Sequence, residues 1–270
     1  MHKTRVLTAL ILGPVLGGLL WWGDLLIFSM IAVAVTGLCI FEYFAFMFRE
    51  QGLLALFGVL LGVMPVMSAL TSNDAALILS ETYLILFISA FFFIITYSRW
   101  SAPFISWAMF FTGVFYISTC MAHVVLLRQL DMGREWLFYL LAVIFAGDIG
   151  AYYAGHAIGR HKLCPNVSKG KTIEGAVGGL AANAMAGLGV GILLLPAWHV
   201  WFLVAVAVVI GAVGQIGDLT ESVMKRFAEV KDSGTLLPGH GGIFDRIDAL
   251  LLAAPALFWL IYLAKGMIIP

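Results

Sequence analysis

The chain has 270 residues, 62% of them hydrophobic and 11% charged, with 15 basic and 15 acidic side chains. A soluble domain carries roughly 25% charged residues, so composition argues against a soluble globule, a disordered chain and a nucleic-acid binder. The mean hydropathy of +1.03 points to a polytopic membrane protein, and the balanced net charge leaves only the placement of charges to inform.

A helix needs about 20 mostly apolar residues to cross the hydrocarbon core. Nine such stretches follow one another at 6–22, 25–47, 53–70, 77–97, 104–127, 136–158, 176–195, 198–217 and 249–268. They are continuously apolar and do not alternate as a barrel wall would, so the spans are helices and the fold class is all-α. The first follows Met1-His2-Lys3-Thr4-Arg5 as a signal peptide's core would. No small-residue cleavage site ahead of a soluble domain follows, so it reads as a retained span. Residues 1–135 then hold about five spans, and 136–270 form a catalytic region with loops 159–175 and 218–248. Cys39, Cys120 and Cys164 make no paired spacing and read as inert packing residues.

On alternate sides of this nine-span arrangement the basic residues divide twelve to three. The N-terminal side holds Lys3, Arg5, Arg49, Arg99, Arg160, Lys162, Lys169, Lys171, Lys225, Arg226, Lys231 and Arg246; the other holds Arg128, Arg134 and Lys265. The positive-inside rule therefore places the N-terminus and both long loops in the cytoplasm. No internal repeat of a transporter type is visible.

Segment 218–248 concentrates ten of the thirty charged side chains. A solvated connector with pairs such as Glu221 to Lys225 at i,i+4 is the plain explanation for such a loop. The spacing favours another: if the eighth span continues past Gly217, then Asp218, Glu221, Ser222 and Lys225 share one helical face. Carboxylates and an ammonium on one stripe beside the bilayer suit a metal-phosphate site. Further on, Gly239-His240-Gly241-Gly242 is a bare-backbone loop whose N–H groups are expected to approach an anion, just ahead of a helix in which Asp245 and Asp248 lie one turn apart. Hard carboxylate oxygens suit magnesium better than zinc, and no zinc spacing occurs. His240 is open to two readings, as a capping or as a catalytic residue.

From Ser222 the chain reads Ser-x2-Lys225-Arg226-x4-Lys231-Asp232-x5-Pro238-x-His240-Gly241-Gly242-x2-Asp245-Arg246-x-Asp248. This resembles the signature of the phosphatidate cytidylyltransferases, also called CDP-diacylglycerol synthases, at twelve fixed positions. The likeness extends to Gly217-Asp218-Leu219 and to a block in which Asp148, Gly150, Ala151, Tyr152 and Gly155 precede Ser168-Lys169-Gly170-Lys171-Thr172-Ile173-Glu174-Gly175. The family's pattern usually has Pro where Lys169 stands and often Trp where Ile173 stands. Residues 1–140 share only their apolar spans with it, so the resemblance covers roughly the C-terminal half.

The resemblance implies an inner (plasma) membrane enzyme with a cytoplasmic active site that joins CTP and phosphatidate, releasing pyrophosphate, with Mg2+ and a second cation beside it. By that likeness Asp218, Asp245 and Asp248 are cation ligands. Lys225, Arg226, Lys231 and Arg246 bind the phosphates, and Asp232 and His240 belong to the catalytic set. Ser222, Lys169, Lys171, Thr172, Gly241, Gly242 and Asp148 are expected to contact substrate. A homo-oligomer is compatible with the sequence, which does not specify one. Within the spans, Asp148 is expected to face a wet cavity or a cation, whereas Glu42, Glu81, His123 and Asn183 are expected to be interhelical hydrogen-bonding groups. An ion transporter would also bury acids but has no need of the Lys-Arg and Gly-Gly environment. The CDP-alcohol phosphotransferases pair aspartates as D-x2-DG-x2-AR, and Asp245-x2-Asp248 lacks the DG and AR partners.

Overall fold

The computed structural model describes residues 17–49, 52–72, 75–236 and 241–268. In chain order the elements are α1 (helical over 17–22), α2 (Leu25–Phe48), α3 (Gly52–Gly62), α4 (Met64–Thr71), α5 (Ala75–Ile95), a 3-10 turn (Tyr97–Arg99), α6 (Pro103–Gln129), α7 (Gly133–Ile158), β1 (Lys162–Cys164), β2 (Ser168–Thr172), α8 (Ile173–Leu194), α9 (Val200–Phe227) and α10 (Phe244–Ile268). Among these residues eight segments are long and apolar enough to cross a membrane, α3 and α4 together making one. The chain is thus an all-α, multi-pass membrane protein. Most of the expected first span, 6–22, lies outside the described residues.

Among the described residues the second to ninth spans fall where continuous apolarity placed them, with three differences. The third is broken near Val63, because Pro65 in the first turn of α4 has no N–H to continue the ladder of α3. The eighth does not end at 217 but runs ten residues further as α9, to Phe227. Strands are not wholly absent either: β1 and β2 pair antiparallel, Lys162 opposite Thr172 and Cys164 opposite Ser168. The exclusion of strands holds for a lipid-exposed sheet edge, but not for a connector between spans.

The chain folds as two units. The first contains Met1–Gln129 together with Val230–Arg246. Asp24 caps α2, its Oδ1 accepting from the Ile27 N–H at 2.7 Å. The centre of this unit is aromatic: Tyr43 packs edge-on against Phe44, Phe46 and Phe244, and Phe44 against Phe110. The Tyr43 hydroxyl donates to the Met109 carbonyl at 2.8 Å, which satisfies the one polar atom that the ring carries inward.

The second unit contains Leu130–Glu229 and Ile247–Pro270. Here α7, α8 and α9 approach through small residues. A Cβ on Gly150 would sit 2.4 Å from that of Ala182, and one on Gly178 2.3 Å from that of Ala154, so neither position admits a methyl group. Such contacts allow the van der Waals packing that holds helices together where lipid supplies no hydrophobic drive. Asn183 of α8 is buried between two glycines: a Cβ on Gly147 of α7 would meet its Oδ1 at 2.3 Å, and one on Gly211 of α9 its Nδ2 at 1.9 Å. Outward faces stay apolar, with Leu193 78% and Trp201 74% exposed, as surfaces in contact with lipid require.

Candidate active site

Within the second unit a cavity of about 730 Å³ opens between α7, the hairpin, the start of α8 and α9. Asp148, Tyr152 and His156 line it from α7, Lys162 and Lys171 from the strands, and Gln215 and Asp218 from α9. Across it the Lys171 ammonium lies 2.6 Å from Asp218 Oδ2, both side chains half-buried. Asp148, the acid expected to face a wet cavity, is exposed there and lies within electrostatic range of Asp218 and Lys171.

The continuation of α9 builds the next layer. Asp218, Glu221, Ser222 and Lys225 all fall on this helix, and the Ser222 hydroxyl donates to Asp218 Oδ1 at 3.5 Å. Lys225 Nζ lies 2.7 Å from Glu221 Oε2, and the Glu221 side chain is buried. That pair is the plain i,i+4 bridge foreseen for a connector, but buried, where removing one partner costs far more than on a surface. Arg226 donates through Nε to the Val167 carbonyl at 3.1 Å, tying the end of α9 to the hairpin turn. Asp248 on α10 is within electrostatic range of both Asp218 and Asp148, and its Oδ1 accepts from the Ala249 N–H at 2.7 Å. The close approach of α9 to α10 depends on Gly217, whose added Cβ would meet the Asp248 carbonyl oxygen at 2.6 Å.

The remaining signature residues belong to the first unit. Lys231, Asp232 and Arg246 are exposed, Asp245 is half-buried, and His240 lies outside the described residues. Gly241 has φ of +81°, a conformation that glycine adopts without strain. Asp245 Oδ2 accepts from the N–H groups of Ser233 and Gly242, each at 3.0 Å. The expectation that the glycine loop offers its amides to an anion therefore fails for Gly242, whose N–H is turned onto a carboxylate of the protein. The next two amides are engaged as well: Ile243 N–H donates to Glu42 Oε1 at 3.0 Å and Phe244 N–H to Glu42 Oε2 at 2.9 Å.

Thr172, expected to contact substrate, lines the cavity but spends its hydroxyl as the N-cap of α8, accepting from the Gly175 N–H at 3.1 Å. The Thr-x2-Gly run ahead of an apolar stretch carried that capping signal in the sequence. Lys169 on β2 is exposed and is not among the residues lining the cavity. His156, Lys162 and Gln215 do line it and had no signature to mark them. Glu174 closes the hairpin base, accepting from the backbone N–H of Arg160 at 3.0 Å and pairing with His161 Nδ1 at 2.6 Å. Of the polar residues expected to link helices, Glu81 accepts from the Ser68 hydroxyl, whereas His123 Nδ1 meets the Thr119 carbonyl of its own helix.

A helical multi-pass membrane protein whose cavity sets a lysine against carboxylates has the makings of an enzyme acting on phosphorylated molecules at the bilayer. Residues 3–264 match the model of the cytidylyltransferase family. Proteins named phosphatidate cytidylyltransferase are similar along the chain. The one from Bacillus subtilis (strain 168) is 41% identical over 150 residues, 55% of this chain and 55% of that protein. The one from Brucella suis biovar 1 (strain 1330) is 35% identical over 263 residues, 95% and 92% respectively. The one from Staphylococcus aureus (strain COL) is 42% identical over 125 residues, 46% and 48%. The chain belongs to the cytidylyltransferase family.

Proposed function

We infer that the chain is a phosphatidate cytidylyltransferase, transferring CMP from CTP to phosphatidate to give CDP-diacylglycerol and pyrophosphate in phospholipid biosynthesis. The observation that carries this reading is the likeness to relatives of that name over 95% of the chain; the Lys171–Asp218 pair in the cavity supports it chemically. A phosphate monoester has its second pKa near about 6 and is largely ionised at neutral pH. The lipid phosphate is therefore itself a competent nucleophile, and no strong protein base is needed. One of its oxygens bonds to the α-phosphorus of CTP as the bond from that phosphorus to the pyrophosphate oxygen breaks. What the protein supplies is alignment and compensation of the charge that spreads over the triphosphate.

In this reading Lys171, Lys225 and Arg226, with Lys231 and Arg246, neutralise the phosphates, and Asp148 and Ser222 border the substrate. The donor set fits magnesium. Its hard oxygens come from Asp148, Asp218 and Asp248, which lie within electrostatic range of one another. Magnesium takes one or two carboxylates and completes its shell with water and phosphate oxygens. Asp218 and Asp248 would hold it, and Asp245 joins them on the resemblance alone. A bound magnesium ion would supply charge neutralisation to the triphosphate, and a second cation beside it belongs to the same proposal on the resemblance alone. The twelve-to-three division of basic residues supports a cytoplasmic site, and the inner (plasma) membrane rests on the resemblance.

The test is the fate of labelled phosphorus. With purified protein and phosphatidate, α-labelled CTP should yield labelled lipid, and γ-label should leave entirely as pyrophosphate. Transfer of γ-label to lipid would make the protein a kinase and end this reading. Inversion at a chiral α-thiophosphate is expected for a single in-line displacement.

A further inference from the structure

Glu42 lies in α2, in the apolar half of the sequence where the family signature has no residue, yet its carboxylate is almost fully buried at 3% exposure. A buried charge is tolerated only with full hydrogen-bonding compensation, and its partners are all in the segment that leads into α10. Oε1 accepts from the Ile243 N–H at 3.0 Å. Oε2 accepts from the Phe244 N–H at 2.9 Å and from the Ser233 hydroxyl at 3.1 Å. Ser233 is shared, because its own N–H goes to Asp245 Oδ2 at 3.0 Å, where the Gly242 N–H also ends.

Two glycines are explained by the same carboxylate. A Cβ on Gly242 would lie 2.4 Å from Glu42 Oε2 and 2.0 Å from Ser233 Oγ, and one on Gly234 would lie 2.8 Å from Glu42 Oε1. Both positions must be bare for Glu42 to reach the backbone. We propose that Glu42 is a positioning residue of the active site, whose buried carboxylate clamps Ser233, Ile243 and Phe244 and thereby fixes Gly241, Gly242, Asp245 and Arg246. This rests on the proposed function for the roles of those residues, but the clamp is a matter of geometry alone. Three donors converge on its two oxygens, an arrangement that a carboxylate serves because both of its oxygens accept. A glutamine of the same shape must turn its NH2 toward at least one backbone N–H, whichever way the amide is placed.

The test compares wild type, Glu42→Gln and Ser233→Ala in lipid nanodiscs by hydrogen exchange and by CMP transfer from CTP to phosphatidate. In Glu42→Gln the amides of 242–246 should exchange about tenfold faster or more, as loss of a hydrogen bond to a charged group implies. Peptides from α2 and α6 should be unaffected, and kcat should fall at least tenfold with the thermal midpoint lowered by only a few degrees. Ser233→Ala keeps both backbone donors and should shift the same two readouts in the same direction by less; it decides the matter if Glu42→Gln does not fold. Unchanged exchange at 242–246 would overturn the clamp. Faster exchange throughout the first unit would reduce Glu42 to a packing residue, and faster local exchange with normal kcat would sever the clamp from catalysis. A wild-type protein that transfers no CMP would instead refute the proposed function, leaving the exchange result to stand or fall by itself.

Discussion

Replacing Lys171 by methionine separates the stability of the Lys171–Asp218 pair from its use. At 2.6 Å and an effective dielectric of 20 the bare Coulomb attraction is about 6 kcal/mol. Both side chains are partly solvated, at 27% and 35% exposure, so most of that is cancelled by hydration lost when the pair forms, and the net contribution to folding should be about 1 kcal/mol. The catalytic effect should be larger, because removing one charge-stabilising donor from a shielded site typically slows turnover about 100-fold or more, roughly 2.7 kcal/mol of transition-state stabilisation. Lys171→Met should thus unfold within a few degrees of wild type while kcat/KM for CTP drops by that factor. The assay is transfer of α-label from CTP to phosphatidate in mixed micelles, with thermal unfolding on the same preparation. The exchanged pair, Lys171→Asp with Asp218→Lys, restores the attraction with the charges reversed and should stay inactive. If the exchanged pair recovers activity, the bridge is merely structural and the phosphate-binding role for Lys171 is wrong.

Asp218→Ala and Asp248→Ala should each abolish turnover without preventing membrane insertion, and the Asn variants should fail too, since they keep size and lose charge; near-normal activity in one would remove that residue from the cation site. Asp245→Ala should abolish turnover and also speed exchange at Ser233 and Gly242, whose amides it holds. Gly178→Ala should cost about 1–3 kcal/mol by overpacking against Ala154. Gly189→Ala, which meets open space in the same helix, should leave thermal unfolding unchanged or slightly raised. Single cysteines in 159–172 and 228–236 should react only after the membrane is breached, whereas one near Gly133 should react with an impermeant external reagent; the opposite pattern would invert the orientation.

The spans were legible because bilayer thickness imposes its own length on the sequence, and the extension of α9 because Asp218, Glu221, Ser222 and Lys225 keep helical spacing beyond the last apolar residue. The hairpin was not: Lys162-Leu163-Cys164 is too short to show alternation, and Ser168–Thr172 carries one β-branched residue. The cavity was half legible. Asp148 stood out as an acid inside a span, while His156 and Gln215 became visible only once α7 and α9 were brought beside the hairpin. Glu42 stood out as an acid inside a span and so as a hydrogen-bonding group, but its partners were not legible, because they lie 191–202 positions away along the chain and no periodicity links them.

Asn183 acts as a phase mark for three helices. Wedged against Gly147 and Gly211, it fixes the rotation of α7 and α9 about their own axes as well as their separation. Asp148 follows directly after the first of those glycines, and Asp218 comes seven residues after the second, which in a helix of 3.6 residues per turn is nearly two full turns, about 10.5 Å along the axis. Counted from that mark, Asp218 keeps its heading toward the cavity only while six residues intervene. Deleting or inserting one residue between Gly211 and Asp218 leaves the hydropathy of α9 intact and the span still able to insert. It nonetheless swings the carboxylate through about 100°, away from Lys171. The stretch 212–217 is therefore far less tolerant of a change in length than of a change in side chains.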